Sequence, residues 1–163
     1  MPYEFENERT IEFAETDMSG IVHFSNYFRF MEETEHAFFR SLGLTVHSDE
    51  GGVMRGWVRV HAECTYRRPL RDQDRIRIRL LVSERSAKSL AFEFSFLGSD
   101  GSQEPLAGGR VRTVCVVRDA GEERVRAVDM PADVRELIEV APREKIEAAR
   151  AALERKPREE GED

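Results

Sequence analysis

The chain opens on alternation. Residues 9–15 set Ile11 and Phe13 on one side and Thr10 and Glu12 on the other, and with residues 3–5 before them they predict a first strand. Residues 16–20, Thr-Asp-Met-Ser-Gly, are turn formers. From about residue 26 to residue 42 the period lengthens. Tyr27, Phe30, Met31, Thr34, Phe38, Ser41 and Leu42 fall on one helical face, while Arg29, Glu32, Glu33, His36 and Arg40 lie largely elsewhere. Gly43 supplies the stop. Burying one Phe is worth about 1.5–3 kcal/mol, so so aromatic a helix is expected to pack against a sheet.

After a polar, glycine-containing loop at 45–56, four strand-like runs follow. Residues 57–67 put Val58, Val60, Ala62 and Cys64 on one face. Residues 74–84 alternate Ile76, Ile78 and Leu80 with Arg75, Arg77 and Arg79. Residues 90–97 set Leu90, Phe92, Phe94 and Phe96 together, and residues 110–118 are valine-rich. Such alternation indicates antiparallel strands with one wet face. The turn formers at 99–102 predict a hairpin between the last two runs. Pro131-Ala132-Asp133 opens a short helix to about residue 140. The resulting order, strand, long helix, four strands, short helix, makes an α+β domain over residues 1–141. With no second helical layer, the sheet is expected to wrap the helix. Residues 142–163 form a charged tail with a thin stripe of Ile146, Ala149 and Leu153, either a solvated helix or a disordered extension.

Composition narrows the function. With 163 residues, 40% hydrophobic and 35% charged, the chain suits one folded domain with a real core. A net charge of −7 argues against nucleic-acid binding, which needs positive charge to displace counterions. No apolar run approaches the roughly 20 residues of a membrane span, and the first residues lack the pattern of a signal peptide. The expected location is the cytoplasm, with Cys64 and Cys115 as reduced, buried thiols. His23, His36, His47 and His61 are scattered without metal-ligand spacing, so no metal site is expected. There is no GxSxG elbow, phosphate loop or GxGxxG motif.

One stretch remains. Asp17 lies in a loop, Gly20 follows, and Ile21-Val22 leads through His23 and Phe24 into the helix. Asp17 reads either as a turn residue bonding its own backbone or as a chemical group. The unsatisfied N–H groups of a helix start polarise a carbonyl, and a nearby carboxylate then attacks it or activates water.

The run Asp17-x-x-Gly20-Ile21-Val22-x-x-x-Asn26-Tyr27, followed by an aromatic helix ending Leu42-Gly43, resembles the 4-hydroxybenzoyl-CoA thioesterase-like branch of the hotdog superfamily. The resemblance runs from about residue 3 to residue 140, with weaker echoes at 85–90 and 124–133. It implies a hotdog fold, a five-stranded antiparallel sheet around a long central helix, and an acyl-CoA thioesterase assembled as a dimer or, more often expected here, a tetramer, with sites at subunit interfaces. Asp17 takes the family's carboxylate position, as nucleophile or general base. The backbone N–H near Phe24 holds the thioester oxygen, and Gly20, Val22 and Tyr27 line the substrate. Arg85, Lys88, Arg124 and Arg126 are the candidates by position for the phosphates of coenzyme A, which enters as part of the substrate; no separate cofactor is implied. Some short-chain members carry histidine where this chain has Phe24. Here the histidine is His23, where it either assists proton transfer or packs as an aromatic substitute.

Two other readings compete. Another hotdog branch uses a glutamate on the central helix, for which Glu32, Glu33 and Glu35 are available. A non-catalytic acyl-CoA-binding module is the second. The acyl group is open, because Phe24, Tyr27 and Trp57 suit an aryl substrate and an ordinary core equally.

Overall fold

Alternating residues become strands because a pleat sends successive side chains to opposite faces. In the computed structural model, which describes residues 1–156, they form one antiparallel sheet. The strands are β1 (Glu4–Thr10), β2 (Ser48–Glu50), β3 (Val53–Tyr66), β4 (Arg75–Arg85), β5 (Ser89–Gly98), β6 (Pro105–Arg118) and β7 (Arg126–Ala127). Their order is β1-β4-β5-β6-β3-β2, with β7 beside β6. The sheet therefore has seven strands, not the expected five; the two unforeseen ones, β2 and β7, are too short to show a period. The predicted hairpin is present, with Leu97 facing Pro105.

Helix α1 (Asn26–Ser41) lies on one face of the sheet. Its Tyr27, Phe30, Met31, Phe38 and Phe39 share a core with Ile76, Ile78 and Leu80 of β4, with Phe92, Phe94 and Phe96 of β5, and with Val111 and Cys115 of β6. The α+β class holds, with α2 (Ala132–Leu137) and α3 (Arg143–Glu154) completing the helices. α3 takes the opposite face. Ile146 packs on Leu81 and Ala141, Arg150 bonds Glu93 at 2.6 Å, and Arg67 donates to the terminal carbonyls of Ala152 and Arg155, which α-helix geometry leaves unsatisfied. The stripe read in the tail is thus a docked face; residues 157–163 lie outside the described residues.

Adjacent glycines in β6 admit both helices. A Cβ on Gly109 would stand 2.7 Å from Met31 Cε of α1 and 2.6 Å from the Glu63 carbonyl. On Gly108, facing the other way, it would stand 2.9 Å from Leu153 of α3. Such separations are closer than van der Waals contact allows.

Two local expectations fail. The first strand stops at Thr10, and Phe13–Glu15 is a 3₁₀ turn. There Glu15 accepts from the Glu12 amide at 2.9 Å and pairs with Arg9; the local capping box outcompetes continued pairing. In β3, Val58 and Val60 do not share an inward face with Cys64. The register slips between Arg59 and His61, so Trp57 and Arg59 point inward before the bulge and Cys64 and Tyr66 after it. A bulge inserts one residue and reverses the alternation. Val60 is left 56% exposed.

Candidate active site

Asp17 sits in a tight loop closed by its own backbone. The Asp17 amide donates to the Ile21 carbonyl at 2.8 Å, and the Gly20 amide donates to the Asp17 carbonyl at 3.0 Å. Gly20 has φ +77°, a left-handed conformation that glycine adopts without a Cβ penalty. One carboxylate oxygen, Oδ1, accepts from the Ser19 amide at 2.7 Å. The turn-forming role of Asp17 is therefore real, and it does not use up the carboxylate: Oδ2 accepts no hydrogen bond from a described residue. The side chain is half-buried. A second set of bonds fastens the loop to the fold, from the Val22 amide to the Leu70 carbonyl at 2.8 Å and from the His23 amide to the Glu15 carbonyl at 2.9 Å.

The chain then enters α1. The Asn26 amide donates to the His23 carbonyl at 2.9 Å, and the Asn26 side chain donates to the Glu15 carbonyl at 2.8 Å. The Ser25 amide leans on His23 Nδ1 at 3.3 Å, and Ser25 Oγ lies 2.7 Å from the same nitrogen. Among the described residues, the Phe24 amide has no acceptor. It is a free donor at a helix start, where backbone partial charge is positive. The Phe24 carbonyl is held from elsewhere, by the Tyr66 hydroxyl at the end of β3, at 2.9 Å. His23 and Phe24 stack with ring centroids 4.6 Å apart. Phe13, Met18 and Phe24, all in or next to the loop in sequence, are exposed, Phe24 by 62%.

Carboxylate loop, free helix-start amide and aromatic helix meet in one place. The family model described as the thioesterase-like superfamily matches residues 11–138. The chain belongs to this superfamily. An esterase-named protein of Aquifex aeolicus is 32% identical over 85% of this chain and 98% of its own length. A 1,4-dihydroxy-2-naphthoyl-CoA hydrolase of Synechococcus elongatus is 34% identical over 47% of this chain and 57% of its own length, so the match spans little more than half of that relative. Among solved structures, a 4-hydroxybenzoyl-CoA thioesterase mutant with Asp replaced by Asn, complexed with 4-hydroxybenzoyl-CoA, superposes with a TM-score of 0.71. It covers 84% of this chain and 99% of its own, at 23% identity, and shows the shared fold. This protein is a hotdog-fold thioester hydrolase.

The thioesterase does not bring all its predicted residues together within one chain. Tyr27 is buried, edge-on to Tyr66 at 4.8 Å and to Phe96 at 5.2 Å, and Val22 is also buried. The basic candidates lie at the other end of the sheet. Lys88 accepts at its carbonyl from the Cys115 amide, whereas Tyr66 faces Ala107; from Ala107 to Cys115 along β6 is about 26 Å at ~3.3 Å per residue. Arg85 is engaged with the carbonyls of Arg135 and Ile138. Arg126 reaches Asp119 at 3.3 Å, and Arg124 is exposed.

The helix glutamates separate by burial. Glu32 and Glu33 are exposed. Glu35 is 1% exposed, and Arg59 Nη2 donates to its Oε2 at 2.8 Å. Burial pushes the Glu35 carboxyl up to about 7, against the pull of Arg59. A cavity of about 260 Å³ opens beside the pair, lined by His36, His47, Trp57 and Val125 among others. Sequence reading missed both Arg59 and Tyr66. Their only signal was polar or aromatic character inside an alternating strand, which does not say what lies opposite.

Proposed function

We propose that the protein hydrolyses acyl-CoA thioesters to a carboxylic acid and coenzyme A, with Asp17 as the catalytic carboxylate. The thioester oxygen takes the free Phe24 amide, whose polarisation by the helix start grows in value as negative charge develops on that oxygen. Asp17 delivers oxygen to the carbonyl carbon, by direct attack or by taking a proton from attacking water. The tetrahedral intermediate collapses by expelling the CoA thiolate. The water route gives the acid at once, whereas direct attack leaves an acyl anhydride on Asp17 that a water then cleaves to the acid and the free carboxylate. In both routes the thiolate takes up the proton that the water gives up. Gly20 shapes the loop, Val22 and Tyr27 back the acyl group, and exposed His23, stacked on Phe24, packs under the substrate. The observation that carries the reading is that, among the described residues, one short loop leading into α1 holds both an unpartnered amide, at Phe24, and a carboxylate with one oxygen left unbonded, at Asp17.

The assembly we propose is a two-fold pair joined along β3, which a tetramer would double. Among the described residues β2 covers only Val53 to Arg55 of β3, and beyond them no described strand pairs that edge, where Val60 and Tyr66 are exposed. Unpaired edges invite another strand. Antiparallel pairing of two such edges sets the Tyr66 end of one copy beside the Trp57 end of the other. Lys88, Arg124 and Arg126 of the second copy would then approach the Asp17 loop of the first, where they hold the phosphates of coenzyme A. Exposed Phe13, Met18 and Phe24 are covered in the same step.

The test is Asp17→Asn, scored by free-thiol release from a panel of aromatic and aliphatic acyl-CoAs. Loss of turnover by at least about a hundredfold with an unchanged circular dichroism spectrum supports the site. Full activity across the panel refutes it.

A further inference from the structure

Tyr66 is the last residue of β3, on its free edge, and Phe24 is the residue whose amide is left open at the helix start. They are 42 positions apart in the chain, yet the Tyr66 hydroxyl donates to the Phe24 carbonyl at 2.9 Å. The Phe24 Cα joins two peptide planes. The first, His23–Phe24, carries the free amide, and its carbonyl is held by the Asn26 amide at 2.9 Å. The second, Phe24–Ser25, carries the carbonyl that Tyr66 holds. With both planes anchored, rotation about Phe24 that would swing the amide away from a substrate oxygen is opposed from each side.

We infer that Tyr66 is a positioning residue for the reaction, holding the Phe24 peptide so that its free amide faces the developing oxyanion; this rests on the proposed role of that amide. Three further features fit. The Tyr66 ring stands edge-on to buried Tyr27 at 4.8 Å, which sets the direction of its hydroxyl. Burial and the neighbouring Cys64 hold the phenol above its ordinary range, so it stays a donor wherever the enzyme works. Within one copy the bond lies near the surface, and one hydrogen bond there is a small part of what holds the fold together, so its loss takes little from global stability. Its effect is concentrated on the geometry of one donor, where displacement of about 1 Å can cost about a hundredfold in rate.

The experiment compares wild type, Tyr66→Phe and a variant with 3,5-difluorotyrosine at position 66, using one acyl-CoA that wild type hydrolyses. Tyr66→Phe is expected to lower kcat by roughly tenfold to a hundredfold with KM within about twofold. The fluorinated residue, assayed at a pH low enough to keep its more acidic phenol protonated, retains the hydroxyl donor and restores kcat. Light scattering is expected to give all three the same assembly. Wild-type kcat in Tyr66→Phe, a rise in KM with kcat intact, or failure of difluorotyrosine to outperform phenylalanine each overturns the inference. Asp17→Asn run beside them separates the two levels. An inactive Asp17→Asn with a fully active Tyr66→Phe sinks the role of Tyr66 alone, whereas an active Asp17→Asn sinks the site on which it rests.

Discussion

Replacing Glu35 with glutamine keeps the shape of a buried side chain and its acceptor for Arg59 while removing an ionisation. In the folded protein the Glu35 carboxyl titrates at about 7, raised from 4.5 first by burial, with Arg59 opposing and Glu32 assisting. Below pH 4.5 folded and unfolded chains both hold this proton, and the contribution of Glu35 is at its most favourable. Between 4.5 and about 7 the unfolded chain has released the proton and the folded chain has not, so stability falls by about 1.4 kcal/mol per pH unit. Over the interval the loss is on the order of 3 kcal/mol, complete once the folded group has also ionised. Glu35→Gln has no such slope. His36, held below its usual range by burial, acts in the opposite direction, but it is common to both proteins and largely cancels in their difference. Urea unfolding of the two proteins at pH 5, 6, 7 and 8 measures that difference, with stability taken from midpoint and slope. Glutamine is expected to gain on wild type steadily up to about pH 7 and then level off. A difference that is flat with pH, or one in which wild type gains as pH rises, refutes the reasoning. It would mean that the ion pair with Arg59 outweighs burial and keeps Glu35 charged in the fold.

Gly109→Ala puts a methyl group into Met31 and the Glu63 carbonyl; overpacking of this kind costs about 1–3 kcal/mol, measurable by urea unfolding, and kcat is expected to fall as α1 and its open start shift. Unchanged stability and rate would show that Met31 moves aside freely. Val60→Asp on the free edge of β3 is expected to yield monomers by light scattering and to lower acyl-CoA hydrolysis at least about tenfold at the same protein concentration, since charge on an exposed edge opposes pairing. A fully active monomer would exclude a site shared between copies.

Much of this molecule is legible along the chain. The 3.6-residue spacing of Tyr27, Phe30, Met31, Thr34 and Phe38 has one solution, a helix burying that stripe, and α1 buries those residues. The alternation of Ile76, Ile78 and Leu80 likewise allows a strand with one inward face, because the pleat repeats every two residues. Asp17 and Gly20 could be picked out because a loop carboxylate and a left-handed turn just before a helix are local features. What period and turn chemistry report is the nearest few residues, and the tertiary structure decided everything set by residues far apart. The bulge at Val60 turned Arg59 inward to meet Glu35, α3 found the second face of the sheet through Gly108, and Tyr66 came to rest on the Phe24 carbonyl. Each depends on which strands lie side by side and in which register. Alternation alone leaves that choice open, since any two inward faces of equal period can pair; packing the whole core at once selects one.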